Sequence, residues 1–154
     1  MAKTAQAPMF VRLGNVLTTT LLRAGVKLVG PFVFFGNYPM YLLTVRGRKS
    51  GQPRTVPIVI LQQNGNRYLV SPFGIVDWVR NLRAAGDAIL TRGRRAETVN
   101  ARELPPKEAA LVLREDVKAG NPFANYFGVT ADSSLEEFER TVVNHPVFLL
   151  QSAG

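Results

Sequence analysis

Two apolar, β-prone runs, residues 40–45 and 56–61, enclose ten residues, the first nine of which no helix interior tolerates. That insert, residues 46–54, holds Gly47, Gly51 and Pro53 beside four cations, Arg46, Arg48, Lys49 and Arg54. Glycine and proline at this density break a helix and favour a turn. The two runs are therefore expected to pair as an antiparallel hairpin, with strands at 41–46 and 54–62. Asn64-Gly65, the strongest short hairpin signal, sends the chain back through a strand at 67–71. A further pair of strands, 87–92 and 95–104, meets at Gly93, and residues 146–151 read as a last strand with Pro146 at its first position.

Helices fall around these strands. Phe10, Leu13, Leu17, Leu21, Ala24 and Leu28 recur at helical spacing, so an amphipathic helix is expected over 9–29, after a loose tail at 1–8. Asp77 can cap a short helix over 78–85 that ends at Gly86. Pro105-Pro106 opens a helix to about 118. Ser133/Glu136 or Ser134/Glu137 offers a capping box for a helix to about 143, and residues 119–131 between them form a loop. Five or six short-hairpin strands with peripheral helices predict an α+β fold built on a small closed or half-open barrel, one domain over 9–154. The βαβ alternation of a doubly wound sheet is absent, as are the G-x-G-x-x-G and P-loop patterns.

Composition excludes several chemistries. There is no cysteine, which removes disulfides and thiolate catalysis, and the single histidine, His145, rules out a histidine-rich metal centre. No G-x-S-x-G serine motif is present. The net charge of +8 is uneven: residues 1–45 carry four cations and no acid, 46–102 eleven cations and three acids, and 103–154 four cations and eight acids. A concentrated basic region calls for an anionic partner. Gly14, Asn15 and the threonines at 18–20 interrupt any secretory core, and Pro31, Gly36, Asn37 and Pro39 break the uncharged stretch at 28–45. A cytoplasmic protein is expected, with peripheral contact to the inner face of the membrane through the 9–29 helix.

The basic turn is the first candidate site. Lys49 is a point charge, Arg48 and Arg54 are planar forks suited to phosphate, and Ser50 adds a hydroxyl. Ser71-Pro72-Phe73-Gly74 follows a strand and precedes a helix, a place where loops meet ligands; Trp78 and Asn81 lie just beyond. Tyr126, in an aromatic cluster with Phe123 and Phe127, is the candidate proton donor. The aromatics at 32–35 fit either a core or a pocket wall.

The run 42–57, containing Arg46-Gly47-Arg48-Lys49-Ser50-Gly51-Gln52-Pro53-Arg54, then Trp78-Val79-Arg80-Asn81-Leu82-Arg83-Ala84, then Ala101-Arg102-Glu103-Leu104, resembles the deazaflavin-dependent nitroreductase family of actinobacterial split β-barrel oxidoreductases. The resemblance covers about residues 40–115. It implies a split barrel of six or so mostly antiparallel strands and coenzyme F420, a strongly anionic deazaflavin whose reduced form gives up a hydride. Acceptors in such a family are quinones, activated enones and nitroaromatics. On this resemblance Arg48, Lys49, Ser50 and Arg54 hold the phosphate and acidic tail. Thr55, Val56, Pro57, Ile58 and Val59 line the ring; Ser71, Pro72, Phe73 and Gly74 meet its polar edge. Asp77, Trp78 and Asn81 border the ring and linker. Pro72-Phe73-Gly74 stands where many relatives have Ser-Lys-Gly-Gly, which makes the substrate side more apolar. The substrate expected is a small, apolar, electron-poor molecule, with no nucleic acid and no metal; oligomeric state is left open. An FMN-dependent split barrel and a non-catalytic barrel that binds nucleic acid or lipid are the alternatives.

Overall fold

A computed structural model describes residues 38–154. The tail at 1–8, the helix at 9–29 and the aromatics at 32–35 lie outside the described residues. The strands are β1 (Met40–Arg46), β2 (Pro53–Val59), β3 (Leu61–Gln63), β4 (Asn66–Val70), β5 (Asp87–Arg92), β6 (Arg95–Glu103) and β7 (Val147–Ser152). The helices are α1 (Asp77–Ala85), α2 (Pro106–Lys118) and α3 (Leu135–Val142), with a 3₁₀ turn at Ala124–Tyr126.

All seven strands form one sheet in the order β2-β1-β5-β6-β7-β4-β3, and every neighbouring pair is antiparallel. The expected hairpins are present: β1 pairs β2 with Arg46 opposite Pro53, and β5 pairs β6 with Arg92 opposite Arg95. Asn64 and Gly65 both take positive φ, 51° and 78°, as a primed two-residue turn requires.

The strand expected over 54–62 is broken. Ile60 separates β2 from β3, and these two pieces lie at opposite edges of the sheet. Only one residue joins the edges, so the sheet must curl until they meet. Ile60 is fully buried, and its N–H donates to the Pro39 carbonyl at 3.0 Å. The result is a curled half-barrel with three helices, the expected α+β split barrel, with seven strand segments in place of about six because one long strand is bent.

Two apolar clusters lie on the two faces of this sheet. The barrel interior takes Leu43, Val45, Ile58, Ile60, Leu69, Leu90 and Phe148, closed by Val79 and Leu82 of α1. The outer cluster joins Leu61, Tyr68 and Val147 to α2 and α3 through Leu113, Phe138 and Val142. α3 uses the Ser134/Glu137 capping box; the Ser133/Glu136 alternative is not formed. The N-cap of α1 is Val76 with no side-chain cap, so Asp77 is the first helical residue and contributes a negative charge to the first turn.

Ile60→Ala removes a fully buried side chain at the one-residue join. It should cost about 2–5 kcal/mol, read as a drop in the denaturation midpoint. A loss under about 1 kcal/mol would show that the bend does not depend on this side chain.

Candidate active site

The basic turn is closed by its own backbone. Gly47 N–H donates to Gln52 O and Gly51 N–H to Gly47 O, both at 2.8 Å, while Gln52 N–H donates to Ser50 Oγ at 3.2 Å. A Cβ on Gly47 would lie 2.9 Å from Ser50 Oγ and 3.1 Å from the Gln52 carbonyl, so this close approach favours glycine. The turn thus presents Lys49, Ser50 and Arg54 outward, all exposed. Neither Lys49 nor Arg54 makes an ion pair among the described residues.

Arg48 is placed differently. Its backbone N–H and its Nη1 both donate to Asn81 Oδ1, at 3.1 and 2.8 Å, and its Nη2 lies 3.5 Å from Asp77 Oδ1. The Arg48 side chain is only 26% exposed, and Asn81 is buried. These contacts bolt the turn to the start of α1. Asp77 also meets Arg80 at 3.6 Å. Trp78 packs its ring against Phe148 in the interior cluster, with centroids 6.2 Å apart.

Strand pleat divides the run 55–59. Val56 and Ile58 pack with the interior cluster, so Thr55, Pro57 and Val59 share the outer face. Thr55 Oγ1 is tied to Thr44 Oγ1 at 2.8 Å across the hairpin. This face runs from Thr55 to Val59, about 13 Å at the usual rise per strand residue, and Arg54 precedes it on the opposite pleat, opposite Val45. Beyond Val59 it reaches a small cleft lined by Tyr38, Leu61, Val70, Pro72, Asp116, Asn121, Phe123 and Phe127.

The Ser71–Gly74 loop closes on itself. The Ser71 hydroxyl donates to the Gly74 carbonyl, and Ser71 is fully buried. The Ser71 carbonyl lies 2.9 Å from His145 Nδ1, which holds the loop to the chain entering β7. Phe73 projects onto Tyr126, edge to face at 4.9 Å between centroids, and onto Phe123 at 6.1 Å. An aromatic cluster therefore forms from Phe73, Phe123 and Tyr126, which keeps Phe123 and Tyr126 of the expected set and has Phe73 in place of Phe127. Phe127 turns away into the outer core, edge-on to His145. Tyr126 is 46% exposed, and its hydroxyl makes no hydrogen bond among the described residues.

Sequence reading missed Asp116. It is fully buried, accepts from Tyr38 Oη at 2.8 Å and from Asn121 Nδ2, and makes no ion pair among the described residues. Burial pushes its carboxyl above the usual aspartate range, against the two hydrogen bonds that pull it down. The signal was present: Asp116 continues the apolar stripe Ala109, Val112, Leu113 of α2.

The F420H(2)-dependent quinone reductase family model matches residues 16–134. The chain belongs to the F420H(2)-dependent quinone reductase family. It is an oxidoreductase that uses coenzyme F420. A solved structure described as F420-H2 dependent reductase FDR-A is 28% identical, with a TM-score of 0.52 over 73% of this chain and 94% of that one. A second, described as a domain-swapped dimer, is 25% identical, with a TM-score of 0.55 over 93% and 98%. An FAD-binding protein of Mesorhizobium loti, 15% identical with a TM-score of 0.50 over 82% and 91%, shares the fold. No functionally curated protein matches the sequence. The described residues fit the cofactor's chemistry, since two exposed cations without ion pairs on a glycine turn are a donor set for phosphate. No His/Cys/Asp/Glu cluster able to hold a metal occurs among the described residues, and none of their helices is long and apolar enough to cross a membrane.

Burial holds the His145 imidazole below its ordinary range, against hydrogen bonds to the Ser71 and Pro72 carbonyls. The folded state thus resists protonation more than the unfolded state does. Stability should be level above the unfolded value and fall as pH drops through about 6.5. In thermal unfolding between about pH 7 and 5, His145→Gln should lose that slope; an unchanged slope would mean that His145 does not titrate on unfolding.

Proposed function

We propose that this family member reduces small electron-poor acceptors, quinones first and activated enones and nitroaromatics by the same chemistry, with F420 laid along the outer face of β2. The supporting observation is the arrangement of that face. Exposed cations without ion pairs, Lys49 and Arg54, stand in and beside the turn that precedes its Thr55 end, and an aromatic cluster with a small cleft stands at its Val59 end.

In this reading Lys49, Ser50 and Arg54 hold the phosphate and acidic tail, and Arg48 keeps the turn in place through Asn81 and Asp77. Thr55, Pro57 and Val59 present side chains to the ring, whereas Val56 and Ile58 reach it through backbone alone. The N–H groups of Phe73 and Gly74, which have no acceptor among the described residues, are donors for its polar edge. Trp78, Asp77 and Asn81 shape the border rather than grip the ligand. Reduced F420, when bound, supplies the hydride. The chain supplies orientation: Phe73, Phe123 and Tyr126 form an apolar wall that holds a flat acceptor at contact distance and keeps water away. A membrane-resident quinone would bring the protein to the membrane surface, with the 9–29 segment as the contact.

Fluorescence titration with F420 tests the clamp. Lys49→Ala and Arg54→Ala should each weaken binding about 10- to 100-fold, the worth of one charge-assisted hydrogen bond, and each should flatten the salt dependence. Unchanged affinity in both variants would remove the basic turn from the site.

A further inference from the structure

Reduction of a quinone or enone by hydride leaves an oxygen that needs a proton, and the aromatic wall offers only the exposed Tyr126 hydroxyl. We propose that the buried Asp116 carboxyl, acting through the Tyr38 hydroxyl, supplies that proton. The proposal rests on the reading above and names a group it does not use.

Three observations carry it. First, Asp116 is a carboxyl in the wrong place for a structural charge. It is fully buried on the apolar stripe of α2, near the helix C-terminus, whose dipole opposes a second negative charge. Second, its partners form a directed chain. Tyr38 Oη lies 2.8 Å from Asp116 Oδ1; Asn121 Nδ2 holds Oδ2, and Asn121 Oδ1 accepts from Phe123 N–H at 2.7 Å. Oδ2 is thus engaged by an amide donor, which leaves Oδ1 to carry a proton; in that state the 2.8 Å hydrogen bond runs from Oδ1 to Tyr38 Oη, and the Tyr38 hydroxyl is free to donate onward. Third, both Tyr38 and Asp116 line the cleft that Val59, Pro72 and Phe123 also line, next to the aromatic wall. Its volume of about 20 Å³ suits a single water, and Tyr38, Asp116 and Asn121 give that water polar partners.

The step balances without further reagents. The acceptor takes the hydride and its two electrons from the reduced cofactor, whose own proton would pass to solvent and balance the one that solvent returns to Asp116. The acceptor oxygen takes the Tyr38 proton, directly or through the cleft water. Tyr38 takes the proton from Asp116 Oδ1, and solvent later returns one to the carboxylate. Burial favours the protonated carboxyl, as this needs. Among the described residues, those lining the cleft add no charge besides Asp116 itself. Leu61 and Val70 face the cleft from β3 and β4, and Phe138 and Val142 pack from α3. Arg114, Glu115 and Lys118 on α2 pair among themselves. His145 lies edge-on to Phe127, which also lines the cleft, and burial favours its neutral form.

The test uses the full-length protein and menadione as acceptor. Without cofactor, the infrared spectrum at neutral pH should show a protonated carboxyl band that Asp116→Asn removes and Tyr38→Phe keeps. With F420H2, both variants should bind the coenzyme within about twofold of wild type. Both should lose turnover about 100-fold, the scale of a lost general acid. The wild-type fall in kcat at alkaline pH should vanish in Asp116→Asn and return in Asp116→Glu. Absence of the infrared band in the wild type, or full turnover in Tyr38→Phe, would overturn the proposal. Failure of the wild type to bind F420H2 would overturn the functional reading instead, and the cofactor-free band separates the two cases.

Discussion

The architecture depends on the single residue between β2 and β3. Because Ile60 joins the two edges of one sheet, the hydrogen-bonded ladder must close on itself, and no flat arrangement satisfies both Met40↔Val59 and Leu61↔Tyr68 pairing. Closure creates the interior that Ile58, Ile60 and Phe148 fill. It also fixes the outer face of β2, because alternation along a strand commits every second side chain once the interior is set. Thr55, Pro57 and Val59 are therefore presented on one side by a constraint set at the Ile60 join, which Thr55 and Pro57 do not themselves touch.

The functional elements hang on this frame by polar contacts of long sequence separation. Arg48 reaches Asn81 to bind the basic turn to α1, Ser71 reaches His145, and Tyr38 reaches Asp116. Each contact links an element of the barrel to a loop or helix that borders the candidate site. Buried bonds of this kind add modest net stability, yet they are costly to leave half-made, which is how they enforce geometry. The exposed cations at Lys49 and Arg54 contrast with this. They have no partner within the described chain, and a ligand is the natural place for their charge to be used.

Much of the fold was legible in the sequence because hairpins are encoded locally. The Asn64-Gly65 turn, the Gly93 turn, Pro106 at the start of α2 and the Ser134/Glu137 box each set a boundary within a few residues. The bend at Ile60 was not legible, since an apolar run from Val56 to Leu61 reads as one strand whether straight or bent. The family motif marked the basic turn, but it cannot tell an arginine that grips a ligand from one that bonds to Asn81, 33 residues away. Asp116 was hidden for the opposite reason: its position on an apolar stripe was visible, while its partner Tyr38 lies 78 residues earlier in the chain.

The central claim is that F420 lies along the outer face of β2, with its phosphate at the basic turn. Amide chemical-shift mapping by NMR with oxidised F420 tests it most directly. The account predicts that perturbations begin at Lys49, Ser50 and Arg54, continue through Thr55, Val56, Ile58 and Val59, and end at Phe73 and Gly74. Perturbations confined to the separate groove lined by Val129, Arg140 and Asn144, with the β2 amides unmoved, would contradict it.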